Sequence, residues 1–518
     1  MNPIELGIFV SRIESICDEM GAILRRAAFS PNIKDRMDFS CAIFGPEGDL
    51  CAQAAHIPVH LGSMAYAMAD IVKSIDWQKG DMVVLNDPYL GGTHLPDVTV
   101  IAPLFVSADV DNGRGQETLV GFIANRAHHA NIGATSPGSM PISTTLEEEG
   151  MVIPPTILVR NGQVDEAVLL RISGGSTGQS YGDFSAQISA NRVGCDRLEA
   201  LILQRDIVHY ANFLVELNAY GSRLARAALG DLPDGIYRFE DYLDDDGAGE
   251  ENITIAATIT IDSGSVCVDF SGTHSQVTGN VNCPLSVAAA AVYYVFRCLM
   301  PAHTPACAGT FSAISLRAKK GSLLDAHRPA AVAAGNVETS TRVVDVILGA
   351  LAQAIPHRIP AASHGSMNNV AMGAVASAEH AQWDYYETIG GGMGAHQGGP
   401  GMHAVQTHMT NTLNTPIESL ESHYPLRVMA YRVRERSGGG GQFVGGDGLE
   451  RSMMFLAPAT VTLLTERRVH APWGLSGGND GALGENRLNG ELLPPKVAID
   501  VMKGDQISIK TPGGGGWG

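Results

Sequence analysis

The sequence predicts a mixed α/β (α+β) protein of several subdomains. Three observations carry this: an amphipathic helix at the start, short apolar strands cut by turn residues after it, and 60 glycines in 518 residues. That is about 12% glycine against an average of about 7%, without a repeat period, so it signals tight turns and close backbone approaches, not fibre or disorder. The expected organisation is a metal-bearing N-terminal part (1–232), a β-rich middle (233–330) and a Gly-rich C-terminal part (331–518).

From Ile4 to Ala28 apolar residues recur at 9, 13, 16, 20, 23, 24 and 27, the spacing of one helix face. The period then shortens. Phe39–Phe44, Met82–Leu85, Val98–Phe105 and Leu119–Ala124 read as strands, the last two joined through a polar surface loop over Asp109–Glu117. A helical region is expected from about Asp183 to Ala228, interrupted near Gly194 and Gly221. Within it Asp183, Gln187 and Asn191 read as a polar stripe facing solvent. Tyr237–Tyr242, Ile253–Ile261 and Ser265–Phe270 form the β-rich part, where Ile253, Ile255, Ala257, Ile259 and Ile261 alternate as in a half-buried strand. Ser286–Cys298 and Arg342–Ile355 return to helix, and glycine-dense stretches follow.

Composition excludes several classes. Net charge is −19, and no lysine lies between Lys79 and Lys319, a poor match for a phosphate backbone or an anionic membrane. The eight cysteines are scattered without a CxxC pair, which reads as reduced thiols in a cytoplasmic protein. The acidic N-terminal helix lacks the form of a signal peptide, and the longest apolar run, Val287–Phe296, is far short of a bilayer span. GxxxxGK[ST] and HExxH are absent. A GxSxG match at Gly174–Ser176–Gly178 sits in a Ser/Gly/Thr stretch, so it reads as a loop, not a nucleophile elbow.

One constellation remains. Asp38 opens a strand, His94 and Asp97 sit in a turn-rich loop that leads into another, and His128 and His129 end a third. Imidazoles and carboxylates gathered at strand ends are the mixed N/O set that suits a divalent transition metal (Zn, Mn or Fe). Gly91 and Gly92 allow close backbone approach there. His56 and His60 are four apart, but Pro58 between them argues against a helix face. For each residue taken singly, a buried histidine with a satisfied hydrogen bond or a turn-forming Asp is the competing reading.

At these motifs the chain resembles the hydantoinase B/oxoprolinase family. The resemblance rests on Arg36-Met-Asp-Phe-Ser-Cys, His56-Ile-Pro-Val-His-Leu-Gly-Ser, Asn86-Asp-Pro-Tyr, Gly91-Gly-Thr-His-Leu-Pro-Asp-Val and Arg126-Ala-His-His. It continues through Gly182-Asp, Gly335-Asn-Val-Glu-Thr-Ser, Met367-Asn-Asn, Tyr386-Glu-Thr-Ile-Gly-Gly-Gly and Thr511-Pro-Gly-Gly-Gly-Gly. It implies a B-type subunit working in a hetero-oligomer with an A-type ATPase subunit. That partner binds ATP with Mg and phosphorylates the carbonyl oxygen of a cyclic amide (hydantoin, lactam or 5-oxoproline-like).

Carried over residue by residue, the metal ligands are Asp38, His94, Asp97 and His128, with His129 in place of His128 if the strand register differs. Arg126 and His129 are expected to act in catalysis, Arg126 as a partner for the transferred phosphate. His56, His60 and Thr93 are expected to line the substrate pocket. The resemblance leaves two alternatives open: a subunit of an ATP-dependent ketone carboxylase, or a non-catalytic structural subunit. The chain departs from the pattern at Asn131, where relatives usually carry Asp, at Cys307 and Ser312, and at His396. These departures bear on substrate identity.

Overall fold

The computed structural model describes residues 2–54, 56–107, 117–175, 177–376 and 382–518. The expected loop at 109–116 and Ser176 lie outside the described residues. Helix α1 (Pro3–Ala27) buries Phe9, Ile13, Ile16, Met20 and Leu24, the stripe read from the sequence. It is followed by the short α2 (Pro31–Lys34) and by strands β1 (Phe39–Phe44) and β2 (Leu50–Gln53). Helix α3 (Pro58–Lys73) was not expected. Pro58 does not break it but starts it, because a proline in the first turn forfeits only an N–H that has no intrahelical partner anyway.

Strands β3 (Met82–Leu85), β4 (Asp97–Ser107), β5 (Glu117–His128), β6 (Thr156–Arg160) and β7 (Gln163–Val164) complete an antiparallel sheet in the order β2-β1-β5-β4-β3-β6-β7. Helices α4 (Glu166–Ile172), α5 (Gln179–Leu203) and α6 (Ile207–Gly230) follow. The helical break falls at 204–206 and not at Gly194 or Gly221. Both glycines are close-packing positions: a Cβ on Gly194 would lie 2.5 Å from Met20 Sδ, and one on Gly221 would lie 2.6 Å from Cys307 Sγ. Gly174 and Gly178 lie between α4 and α5, so the GxSxG stretch has no strand before it.

Strand alternation then sorts residues between two layers. Cys41, Ile43, Ile123 and Ala127 face α1, α5 and α6. Ala42, Phe44, Phe122 and Ala124 face α3. Arg126 and His128 continue the second series.

The middle sheet contains β8 (Gly235–Asp245), β9 (Glu251–Asp262), β10 (Ser265–Asp269) and β11 (Ile314–Arg317), and the alternate residues Ile253 to Ile261 are buried as expected. Helices α7 (Leu285–Cys298), α8 (Ala308–Phe311) and α9 (Ser340–Leu351) come next. α7 and α9 pack on one another and α9 packs on β8 and β9, so one core runs across residues 330–331. A π-helical turn, Gly335–Thr339, leads into α9.

The remainder holds β12 (Asn369–Ala374), β13 (Trp383–Glu387), α10 (Ile417–His423), β14 (Leu426–Arg434), β15 (Gly448–Phe455), β16 (Ala459–Leu464), β17 (Glu485–Leu488), β18 (Glu491–Leu493), β19 (Lys496–Val501) and β20 (Gln506–Lys510). They form two sheets, β13-β12-β16-β19 and β14-β15-β20-β17-β18, around a shared core. The glycine runs interlock backbone to backbone: a Cβ on Gly392 would lie 1.9 Å from Gly446 O and 2.4 Å from Gly514 N. No helix among the described residues is long and apolar enough to cross a membrane, and all eight cysteines are unpaired.

Candidate metal centre

Three of the expected ligands converge because of strand register. Asp97 opens β4 and pairs directly across with His128 at the end of β5, while His94 precedes Asp97 by three residues in the same loop. One ligand atom from each of His94, Asp97 and His128 lies within 4.8 Å of the others, and all three residues are buried. Nε2 of His94, Nε2 of His128 and Oδ1 of Asp97 have no hydrogen-bond partner. Orphaned buried polar atoms each cost about 1–3 kcal/mol, so three on residues whose ligand atoms lie this close fit the binding of a cation.

The far sides of the ligands are satisfied. His94 Nδ1 lies 3.2 Å from Ala333 O, which fixes its proton there and leaves Nε2 bare. Asn32 Nδ2 lies 3.2 Å from His128 Nδ1. Asp97 Oδ2 accepts from Thr93 Oγ1 at 2.5 Å and from Asn336 Nδ2 at 3.2 Å. The His128 ring stacks on Tyr386 at 4.7 Å and 3°, and the Arg36 guanidinium lies over the same tyrosine.

His60, in the first turn of α3, reaches in from the side. Its Nε2 is 3.1 Å from Asp97 Oδ1 without hydrogen-bond alignment, and 3.9 Å from Asp38 Oδ1. Asp38 shares His60 as a neighbour with Asp97 but is not one of the three residues whose ligand atoms all lie within 4.8 Å of one another, and Arg36 Nη2 lies 3.7 Å from its Oδ2. Burial raises the Asp38 carboxyl, with Arg36 partly offsetting it. Burial would also raise Asp97, but the His60 and His94 imidazoles beside it hold it well below the usual carboxylate range. Burial lowers His128 strongly, reinforced by His94.

Other expected site residues fall elsewhere. His129 faces the opposite layer: its Nε2 is 3.0 Å from Gln187 Oε1 and its ring packs on Phe184 at 4.2 Å, so the expectation that it acts beside the ligands is corrected. Arg126 shares the His128 face, but its donors go to Thr99 Oγ1 (2.8 Å), Ser63 Oγ (2.7 Å) and Gly91 O (3.2 Å). It ties β4, α3 and the Gly91 turn together, and burial pushes it down to about 10. Thr93 is fully buried and spent on Asp97. His56 packs on Phe39 outside the cluster, and burial lowers it to about 4.

Asp183, Gln187 and Asn191 do not face solvent. They are buried and bond to Ser30 N, Val98 O and Val100 O. Asn32, Asn336 and Tyr386 escaped the sequence reading as site residues. The signal for the last two was present, since both stand in motifs of the family pattern, but nothing in the order of residues says what they touch.

The sequence matches the hydantoinase B/oxoprolinase family over residues 2–518. The chain belongs to that family. It is 38% identical to 5-oxoprolinase 1 of Arabidopsis thaliana over 99% of this chain, which spans 42% of that protein. It is 31% identical to a putative B-type subunit of a D-/L-hydantoinase from Pseudomonas sp., covering 100% of this chain and 90% of that one. Among solved structures, the ATP-dependent caprolactamase of Pseudomonas jessenii superposes with a TM-score of 0.90 at 25% identity, covering 100% of this chain and 91% of the other. The nucleotide-free structure of acetone carboxylase superposes at 0.88 with 18% identity, a likeness of fold, covering 100% of this chain and 76% of that one.

Proposed function

We propose that this hydantoinase B/oxoprolinase chain is the B-type component of an ATP-dependent amidohydrolase that opens a cyclic amide phosphorylated by an A-type ATPase partner. The observation that carries the reading is the set of orphaned, buried atoms on His94, Asp97 and His128. The names of the relatives, among them a 5-oxoprolinase, a hydantoinase component and an ATP-dependent caprolactamase, support the substrate class.

A divalent transition ion (Zn, Mn or Fe) would be held by His94, Asp97 and His128, with Asp38 the candidate fourth ligand. Two nitrogens and one or two carboxylate oxygens suit these ions. Such a cation supplies Lewis acidity, acidifying water and polarising a carbonyl or phosphoryl oxygen.

The chain's own groups do the rest. Ser40 Oγ lies 3.4 Å from His60 Nδ1, so its hydroxyl hydrogen can occupy that side and leave the ring proton on Nε2, between Asp97 and Asp38. His60 is thus the group placed to hand a proton to the departing ring nitrogen. Arg36 sets its guanidinium beside Asp38. Arg126 acts as a positioning residue through Ser63 and Gly91, in place of the phosphate partner expected from the sequence.

Metal analysis of the purified chain beside His94→Ala, both shown folded by circular dichroism, tests this. A stoichiometric transition metal in the wild type, lost in the folded variant, is expected. A metal-free wild type after metal supplementation overturns the reading.

A further inference from the structure

His94 has two acceptors for the single proton of its neutral ring. Ala333 O lies 3.2 Å from Nδ1, and Asp97 Oδ2 lies 3.3 Å from Nε2. Only the first choice leaves Nε2 with the lone pair that a cation needs. The two distances are nearly equal, so a small shift of one backbone carbonyl changes which acceptor is better. Asp97 Oδ2 is already engaged by Thr93 and Asn336. What holds Ala333 therefore matters as much as what holds His94.

Ala333 is held by Glu149. Of the run Glu147–Glu149 only this last residue is buried, and it ends the short helical turn Leu146–Glu149. Its Oε1 accepts from Val332 N, Ala333 N and Ser143 Oγ, each at 2.8 Å. The turn is docked on the same stretch: Leu146 N donates to Pro329 O at 2.9 Å, and Thr145 pairs with Ala330. Gly150, at φ 133°, lets the chain leave the turn against Ile132, where a Cβ would lie 2.8 Å from Ile132 O. Val332 and Ala333 are fully buried, so without Glu149 two backbone N–H groups would lack a partner and the stretch would move to find one. Three residues on, the same stretch supplies Asn336 to Asp97, so Glu149 pins a segment that serves two of the metal candidates.

Glu149 bonds to none of those candidates itself, yet lies within electrostatic reach of His94. Burial pushes its carboxyl up to about 7, while the Ala333 N–H and the Ser143 hydroxyl pull it back. We propose that Glu149 is a positioning residue that fixes the Ala333 carbonyl against His94 Nδ1 and so selects the ring form whose Nε2 can bind a cation. Its purpose rests on the metal reading of His94, Asp97 and His128, but its geometry can be tested without metal.

The test is nitrogen NMR of the full chain, metal-free and carrying isotope-labelled histidine, in buffer alkaline enough to keep the ring neutral. The His94 signals, identified by their loss in His94→Ala, are expected to show Nδ1 protonated and Nε2 bare in the wild type. Glu149→Gln, whose amide oxygen can take the same three donors, is expected to keep that form. Glu149→Ala, shown folded by circular dichroism, is expected to shift the ring toward the Nε2–H form. It is also expected to weaken zinc binding, read by chelator competition, about 10–100-fold, and Glu149→Gln to weaken it less. Glu149→Asp, one methylene short of the same donors, is the milder variant and is expected to shift both readouts in the same direction. A wild-type ring protonated on Nε2 overturns the proposal. Unchanged His94 signals or unchanged zinc affinity in folded Glu149→Ala, or in Glu149→Asp should Glu149→Ala not fold, also overturn it, even where the variant melts earlier. A wild type that binds no zinc fails the metal reading alone, and the His94 signals then decide the role of Glu149.

Discussion

Glu338 sits on the π-helical turn whose Asn336 bonds Asp97, and its environment is unusual for a carboxyl. It is fully buried, its Oε1 accepts from Met367 N (3.0 Å) and Asn369 Nδ2 (2.7 Å), and Oε2 has no hydrogen-bond partner. Asn369 in turn accepts from the Tyr386 hydroxyl at 2.6 Å, and Tyr386 is the ring under His128. Burial, aided by the nearby Glu466, pushes Glu338 up to about 8. A folded value above the ordinary 4.5 means the native state keeps a proton that the unfolded chain releases. Its stabilising contribution is therefore full in acid and is lost as pH rises to about 8. Glu338→Gln removes this titration. The variant is expected to lose less stability than wild type between acidic and mildly alkaline buffer, read from urea midpoints at the two pH values; parallel losses would refute it.

Helix α3 carries His60 and Ser63 to the site because Gly62 lets it cross α7 closely. A Cβ at Gly62 would lie 2.5 Å from Ala290 Cα, which is backbone and cannot rotate away. Gly62→Ala is expected to destabilise by about 1–3 kcal/mol, the usual effect of overpacking. It should also weaken metal binding, since Arg126 is anchored on Ser63 and His60 lies against Asp97. Thermal unfolding and a metal titration check both, and a variant that matches wild type in both would sink the account. The same close packing explains why Gly194 and Gly221 stand inside helices without breaking them. A glycine's two uses, turn and contact, look alike until the neighbouring element is known.

The metal-centre candidates lie where distant segments meet: Val59 N bonds Met409 O, Leu413 N bonds Arg36 O, and Arg36 Nη1 bonds Tyr386 O at 3.0 Å. The proposed function divides the work between this chain and an A-type ATPase partner. The purified chain given ATP is accordingly expected to open no cyclic amide until an A-type partner is added. An assay of hydantoin, lactam and 5-oxoproline with and without that partner checks this, and ATP-driven turnover by the chain alone would contradict the division of labour.

Family membership and most strands of the first 130 residues were readable from residue order. The family resemblance named Asp38, His94, Asp97 and His128, or His129, as ligand candidates, of which the fold brings His94, Asp97 and His128 together. Their information is local: three residues separate His94 from Asp97, and strand pairing brings His128 opposite. What order left open was everything that depends on which face meets which element. The fold sends His129 away from His128, sets His60 between Asp97 and Asp38, engages Arg126 with neutral partners and buries the Asp183–Gln187–Asn191 stripe. It also brings Asn336 to Asp97 across 239 positions. A period of two or of 3.6 tells which residues share a side, but not what that side touches, because packing energy comes from contacts between segments that the chain order holds far apart.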